Sequence, residues 1–147
     1  MIVRLTPDRD AYPRLAHGLR QLGAVGELAA RARFAAAAPQ ITARQRALAP
    51  VDAVDGGQMR DSIRHGGPRT RGKEFVAVEF VVGGDVLLPF LGRRAANVYA
   101  LLQETDTSLR HRRGQAGFMT QPVAQMSPGV FERVAADVDA LVARVSG

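Results

Sequence analysis

The stretch Ala49-Pro50-Val51-Asp52, followed after a short gap by Gly57-Gln58-Met59-Arg60-Asp61-Ser62-Ile63, divides this chain into a helical part and a strand-bearing part. Pro50 has no amide to donate and biases the residue before it toward extended backbone, so a helix arriving at Ala49 stops there. Asp52 to Gly57 then reads as a turn carrying the carboxylates of Asp52 and Asp55 and the glycines Gly56 and Gly57. Asp52 can cap that turn by accepting backbone amides, and Gly57 permits a positive φ. Met59 and Ile63 anchor the next segment in the core. The segment from Met59 to Arg64 reads as extended chain or as one helical turn leading into a strand.

Upstream, Ile2 to Thr6 alternates apolar and polar, as a short strand does. Pro13 suits the first position of a helix, and Leu15, Leu19 and Leu22 fall on one stripe until Gly23 and Gly26 interrupt. From Glu27 a second helix runs through Leu28, Ala32 and Ala35. Pro39 is expected to kink or divide it, since proline lacks the amide donor and crowds the preceding turn. Ile41, Ala43, Ala47 and Leu48 continue the helical pattern to Ala49.

Downstream, Arg64 to Lys73 mixes Gly and Pro with basic residues and predicts a mobile hairpin connection. Phe75 to Val82 is the clearest strand, with Val76, Val78, Phe80 and Val82 on one face and Phe75, Ala77, Glu79 and Val81 on the other. Apolar groups on both faces imply cover on both, by a helix on one side and a neighbouring subunit on the other. Val86 to Leu91 is an apolar run broken by Pro89, either an edge strand, an exposed docking patch or, more commonly for such a run, core. Ala95 to Glu104 reads as a helix with Val98, Leu101 and Leu102 inward. Thr105 to Gly117 is long, polar, basic and aperiodic. Ser127 before Pro128 predicts a last helix, with Val130, Val134, Val138, Leu141 and Val145 as its stripe.

This order predicts an α+β fold in which a small, mostly antiparallel sheet is packed by a long N-terminal helical segment and a C-terminal helix. At 147 residues the chain reads as one domain. Residues 1–49 supply a strand and helices, 50–104 the turn, sheet and short helix, 105–120 a mobile basic loop, and 121–147 the C-terminal helix. Its apolar residues are mainly small, with only 5% aromatic, so the core buries little area per residue and gains from assembly with other subunits.

Composition narrows the chemistry. With no cysteine there is no disulfide, thiolate metal site or cysteine nucleophile. No apolar run approaches the ~18 residues of a membrane span, and the N-terminus lacks a basic-then-apolar signal layout, so a soluble protein without membrane contact is expected. The formal charge of +6 permits an acidic partner or nucleic acid. Lys73 is the sole lysine, and arginine in an alanine-rich chain also reflects GC-rich coding.

Asp52 and Asp55 are hard oxygen donors, but two carboxylates lack the spacing of a calcium loop and more often cap a turn. His17, His65 and His111 share no spacing. Catalysis would need a partner such as Ser62 or Glu104 brought beside one of them, so neither an enzyme nor a cofactor is expected. Three basic clusters, Arg69, Arg71 and Lys73; Arg93 and Arg94; and Arg110, Arg112 and Arg113, are candidate contacts to DNA or to an acidic neighbour. Solvated loops are the plain alternative. Aromatic residues do not interleave them and no helix-turn-helix or zinc pattern is present, which argues against single-strand stacking and sequence reading.

The stretch from Ala49 to Ile63 resembles the A-P-V-D-T-G-x-L-R-x-S-I signature of the neck, or tail-completion, proteins of long-tailed bacteriophages. Pro50 and Asp52 match directly; Gly57, Met59 (for Leu), Arg60, Ser62 and Ile63 match after an insertion at Ala53 to Gly56. Tyr99-Ala100-Leu101-Leu102-Gln103-Glu104 is similar to the family's Y-A-x-x-x-E, with Asp106-Thr107 where Gly-Thr normally follows. Gly117-Phe118-Met119-Thr120-Gln121-Pro122-Val123 resembles its F-L-x-P-A. Tyr99, Ala100, Glu104, Phe118 and Pro122 are the residues that carry these two matches.

The resemblance implies a structural virion protein at the head–tail junction, made in the host cytoplasm. It would be one subunit of a homo-oligomeric ring between connector or stopper and tail-tube proteins, around the channel that double-stranded DNA crosses. Because Arg110, Arg112 and Arg113 lie between two family-like motifs on an aperiodic connection, that loop is expected to contact an adjacent subunit or ring and pair with carboxylates there. A different class of function, a non-specific duplex-binding module using the basic loops, would show steep salt dependence.

Overall fold

The computed structural model describes residues 1–5, 22–51, 57–71, 75–83, 100–109 and 113–146. They form an α+β fold. In chain order the elements are β1 (Ile2–Leu5), α1 (Ala24–Leu48), α2 (Gln58–Asp61), β2 (Arg64–His65), β3 (Arg69–Arg71), β4 (Phe75–Val81) and α3 (Thr120–Ser146). Residues 100–105 are also helical. The expected helix from Pro13, the Asp52–Asp55 turn and the Val86–Leu91 run lie outside the described residues.

The sheet is antiparallel and centred on β4, the segment with the strongest alternation in the sequence. β1 pairs one edge, with Ile2 opposite Val81 and Leu5 opposite Val78. β2 and β3 share the other edge in line, Arg64 opposite Val81 and Arg69 opposite Ala77. The Arg64–Lys73 connection thus contains two short strands. Gly66, Gly67 and Pro68 break the ladder between them, while the Gly66 amide keeps a 2.9 Å bond to the Glu79 carbonyl.

Alternation along β4 sorts its side chains. Val76, Val78, Phe80 and Val82 are buried beneath α1, with α3 packed on α1 and β1, and join Leu5, Phe34, Ile41, Ile63, Phe118 and Val134 in one core. Phe34 and Phe131 meet between the two helices with ring centroids 5.9 Å apart. Ala30, Ala37 and Ala38 are buried on α1, where small side chains let the helix backbone come close to its neighbours. On the far face Ala77 is buried but Glu79 and Val81 are half-exposed, so that face is only partly covered.

Several local expectations change. α1 runs unbroken through Pro39, because Pro39 and Ala35 lie on the solvent face, where water satisfies the carbonyl that proline leaves without an amide. Gly26 does not interrupt it: the helix starts three residues before Glu27, just after Gly23 with φ 53°, and buries Gly26. Met59 to Arg64 is the helical turn α2 leading into β2, one of the two alternatives. Leu101 and Leu102 point outward, at 49% and 51% exposure, while Ala100, Gln103 and Glu104 are buried. The C-terminal helix begins at Thr120, upstream of the Ser127-Pro128 signal. Ser127 Oγ instead lies 3.5 Å from the Ala124 carbonyl that Pro128 cannot pair.

Candidate functional site

The residues that resemble the family signature fall at the joints of the fold. α1 ends with the Ala49 amide bonded to the Gln45 carbonyl at 2.8 Å, after which Ala49 turns extended (φ −60°, ψ 135°) ahead of the buried Pro50. The chain here pairs with a distant segment: the Gln115 amide reaches the Leu48 carbonyl at 3.0 Å and the Val51 amide reaches the Arg113 carbonyl at 3.1 Å. Gly114 sits between these bonds at φ 88°, and a Cβ there would lie 2.5 Å from the Ala49 oxygen and the Pro50 nitrogen. Residues 113 to 119, assigned by sequence to a mobile loop, are therefore bonded and packed into the fold, with Phe118 and Met119 fully buried.

Gly57 opens α2 in the left-handed region (φ 89°), as its place in the turn demands. Met59 and Ile63 are buried to 2% and 0% exposure. Between them the Ser62 hydroxyl donates to the Met59 carbonyl at 2.6 Å and accepts the Gly83 amide at 2.9 Å, which clips α2 to the end of β4. Arg60 pairs with its exposed neighbour Asp61 at 2.9 Å, holding the Asp61 carboxyl below its ordinary range.

Glu104 is the third joint. Its carboxylate accepts the Met119 amide at 2.9 Å, the Thr120 amide at 2.9 Å and the Thr120 hydroxyl at 2.6 Å. A buried anion thus meets the first amides of α3, where the helix dipole is positive and the donors have no intrahelical acceptor. Beside it, Gln45 Nε2 donates to the Met119 carbonyl at 2.9 Å. Ala100, Phe118 and Pro122 are buried in the same part of the chain. Asp52 and Tyr99 lie outside the described residues.

Ser62 and Glu104, named above as examples of a partner for a histidine, bond to backbone amides and a carbonyl and to the Thr120 hydroxyl. His65 Nδ1 lies 2.8 Å from Thr42 Oγ1, with its ring beside Phe80. His17 and His111 are outside the described residues. Among the described residues no three His, Cys, Asp or Glu side chains gather as a metal site, and no helix is long and apolar enough to cross a membrane.

Of the basic clusters, Arg69, Arg71 and Arg113 are described; Lys73, Arg93, Arg94, Arg110 and Arg112 lie outside. Arg69 and Arg71 are not on a loop but on β3. Arg113 exposes its side chain while its carbonyl is held by Val51. Sequence reading passed over Arg4 and Arg64, which the pairing register brings onto the same sheet face as Arg69. Arg4 stands opposite Glu79 and bonds it at 2.9 Å. Arg64 and Arg69 flank the Gly66-Gly67-Pro68 break, where a groove of about 340 Å³ is lined with Glu79, Ala77 and Val81 on its floor. Alternation in β4 signalled the polar position of Glu79; nothing in the sequence gave the register that surrounds it with arginines.

The edge of β3 is tied to α1. Arg31 donates to the Thr70 hydroxyl at 2.6 Å, and Thr70 and Arg31 both donate to Glu27. Those bonds hold the Glu27 carboxyl below its ordinary range. No protein-family model, curated protein or solved structure matches the chain.

Proposed function

We propose that the protein is a structural virion component at the head–tail junction of a long-tailed phage, a ring subunit between connector and tail tube around the DNA channel. One observation carries this reading. The signature-like residues Pro50, Gly57, Ser62, Ile63, Glu104 and Phe118 are buried at joints between elements, where they fix geometry. A chain whose distinctive residues are spent on shape, with an incompletely covered sheet face, suits a protein whose work is to present surfaces to neighbours.

The reading is tested by mixing the purified chain with tails that lack it and imaging the products. Tails capped by a ring at the head-proximal end are expected. Tails that stay open at every ratio would contradict it.

A further inference from the structure

The arginines of this fold are of two kinds. Arg4, Arg31, Arg33 and Arg60 each bond a carboxylate, at 2.7 to 2.9 Å. Arg44, Arg46, Arg64 and Arg69 are exposed and, among the described residues, bond no carboxylate. Arg46 donates to the Ile63 carbonyl at 3.1 and 2.6 Å, which fixes its side chain without cancelling its charge.

These four lie along one continuous path. Arg64 and Arg69 stand opposite Val81 and Ala77, about 13 Å apart along β4, and line the groove of about 340 Å³ on the outer sheet face. Arg64 and His65 also line a second groove of about 260 Å³, shared with Thr42, Ala43 and Arg46 of α1. Ala43 opens in turn on a third, of about 630 Å³, lined by Gln40 and Arg44 of α1 and by Gln125 and Met126 of α3. The path thus crosses from the sheet, over its β2 edge, onto the two long helices. The carboxylates that border it are answered from outside it. Arg4 holds Glu79 at 2.9 Å, Arg31 holds Glu27 at 2.8 Å, and Arg60 holds Asp61 at 2.9 Å, although Asp61 also feels Arg46.

We propose that this path is a contact surface for the phosphate backbone of duplex DNA, engaged without regard to base sequence. Guanidinium groups match phosphate oxygens with paired donors, and four of them along contiguous grooves suit a ligand whose charge repeats. The described lining of the three grooves holds no Phe, Tyr or Trp. It therefore lacks both the aromatic anchors that hold a protein partner and the platform on which single-strand bases stack. With phosphate contacts alone a duplex is favoured over a single strand, because its denser charge releases more counterions per contact. At Gly66 and Gly67 an added Cβ would meet nothing within 4 Å, so the approach between Arg64 and Arg69 is open. The proposal goes beyond the head–tail reading and does not depend on it.

The test is binding of the full chain to a labelled duplex of about 30 base pairs, followed by fluorescence anisotropy across a salt series. Four neutralised phosphates predict that log K falls with log salt at a slope of about −3 to −4. R44Q/R64Q/R69Q removes the three arginines of the path whose side chains make no bond among the described residues, so its melting curve should match the parent's. Its slope should be shallower by about 2–3, and its low-salt affinity weaker by about tenfold or more. R113Q/R144Q removes two exposed arginines that line none of the three grooves, and should weaken binding by less than about threefold. A parent that does not bind the duplex at low salt, or a triple variant that loses no more than R113Q/R144Q, overturns the proposal. Tighter binding to a single strand of the same length overturns the choice of duplex. A parent that ignores the duplex but loses self-association in the triple variant overturns it in favour of an acidic protein surface. Whether the chain sits at the head–tail junction is read separately, on particles.

Discussion

Glu104 and Thr120 are joined twice: one carboxylate oxygen of Glu104 accepts both the backbone amide and the hydroxyl of Thr120, while the other takes the Met119 amide. The residue near the end of the helical segment of 100–105 thereby starts the longest helix among the described residues. Glu104→Ala leaves the buried Met119 amide unpaired and takes the acceptor from the part-buried Thr120 donors, and should cost about 1–3 kcal/mol. Glu104→Gln keeps an acceptor and should cost less than half as much. Urea unfolding of the three proteins measures both.

Ser62 makes a narrower prediction. Ser62→Ala removes the hydroxyl that joins the Met59 carbonyl to the Gly83 amide and should destabilise by about 1–3 kcal/mol. The Gly83 amide should then exchange with solvent faster than its neighbours in β4. Equal protection factors in the two proteins would show that the clip is not holding the end of the strand.

Gly114 and Gly66 separate close approach from chance. At Gly114 a Cβ would lie 2.5 Å from the backbone of Ala49 and Pro50, at φ 88°; at Gly66 it would meet nothing within 4 Å. Gly114→Ala should lower the melting temperature by several degrees or prevent folding, and Gly66→Ala should leave it within a degree or so of the parent. The comparison is a pair of thermal melts.

Arg33 grips Asp137 with two bonds of 2.7 and 2.9 Å across α1 and α3, and holds the Asp137 carboxyl below its ordinary value of 3.8. A depressed carboxyl pKa contributes stability that is present above the unfolded value and is lost as pH falls through the folded one. The stability difference between the parent and Asp137→Asn should therefore be present near neutral pH, begin to shrink near pH 3.8 and vanish in stronger acid. The pair is exposed, so the difference will be small. Melts taken from neutral to strongly acid pH measure it.

The parts of the fold legible in the sequence were those set by local rules. Proline at 50 stopped a helix because no partner can replace its amide there, and the apolar alternation of Phe75 to Val82 wrote out the central strand. The Ser127-Pro128 pair misled because it has the form of a cap, whereas the real one comes from Glu104, sixteen residues before Thr120 and visible only once the chain is folded. Leu101 and Leu102, expected inward with Val98, are exposed; the described part of that helix buries Ala100, Gln103 and Glu104, whose carboxylate bonds the start of α3. Likewise the arginines of the outer sheet face converge through strand register, which no composition or spacing along the chain contains.

The central claim concerns a place in a particle, and one measurement addresses it directly. Electron microscopy of tailed particles assembled with an epitope-tagged copy of this chain, decorated with antibody, should show label confined to the junction between head and tail. Complete, infectious particles without label there, or label elsewhere on the virion, would contradict the assignment.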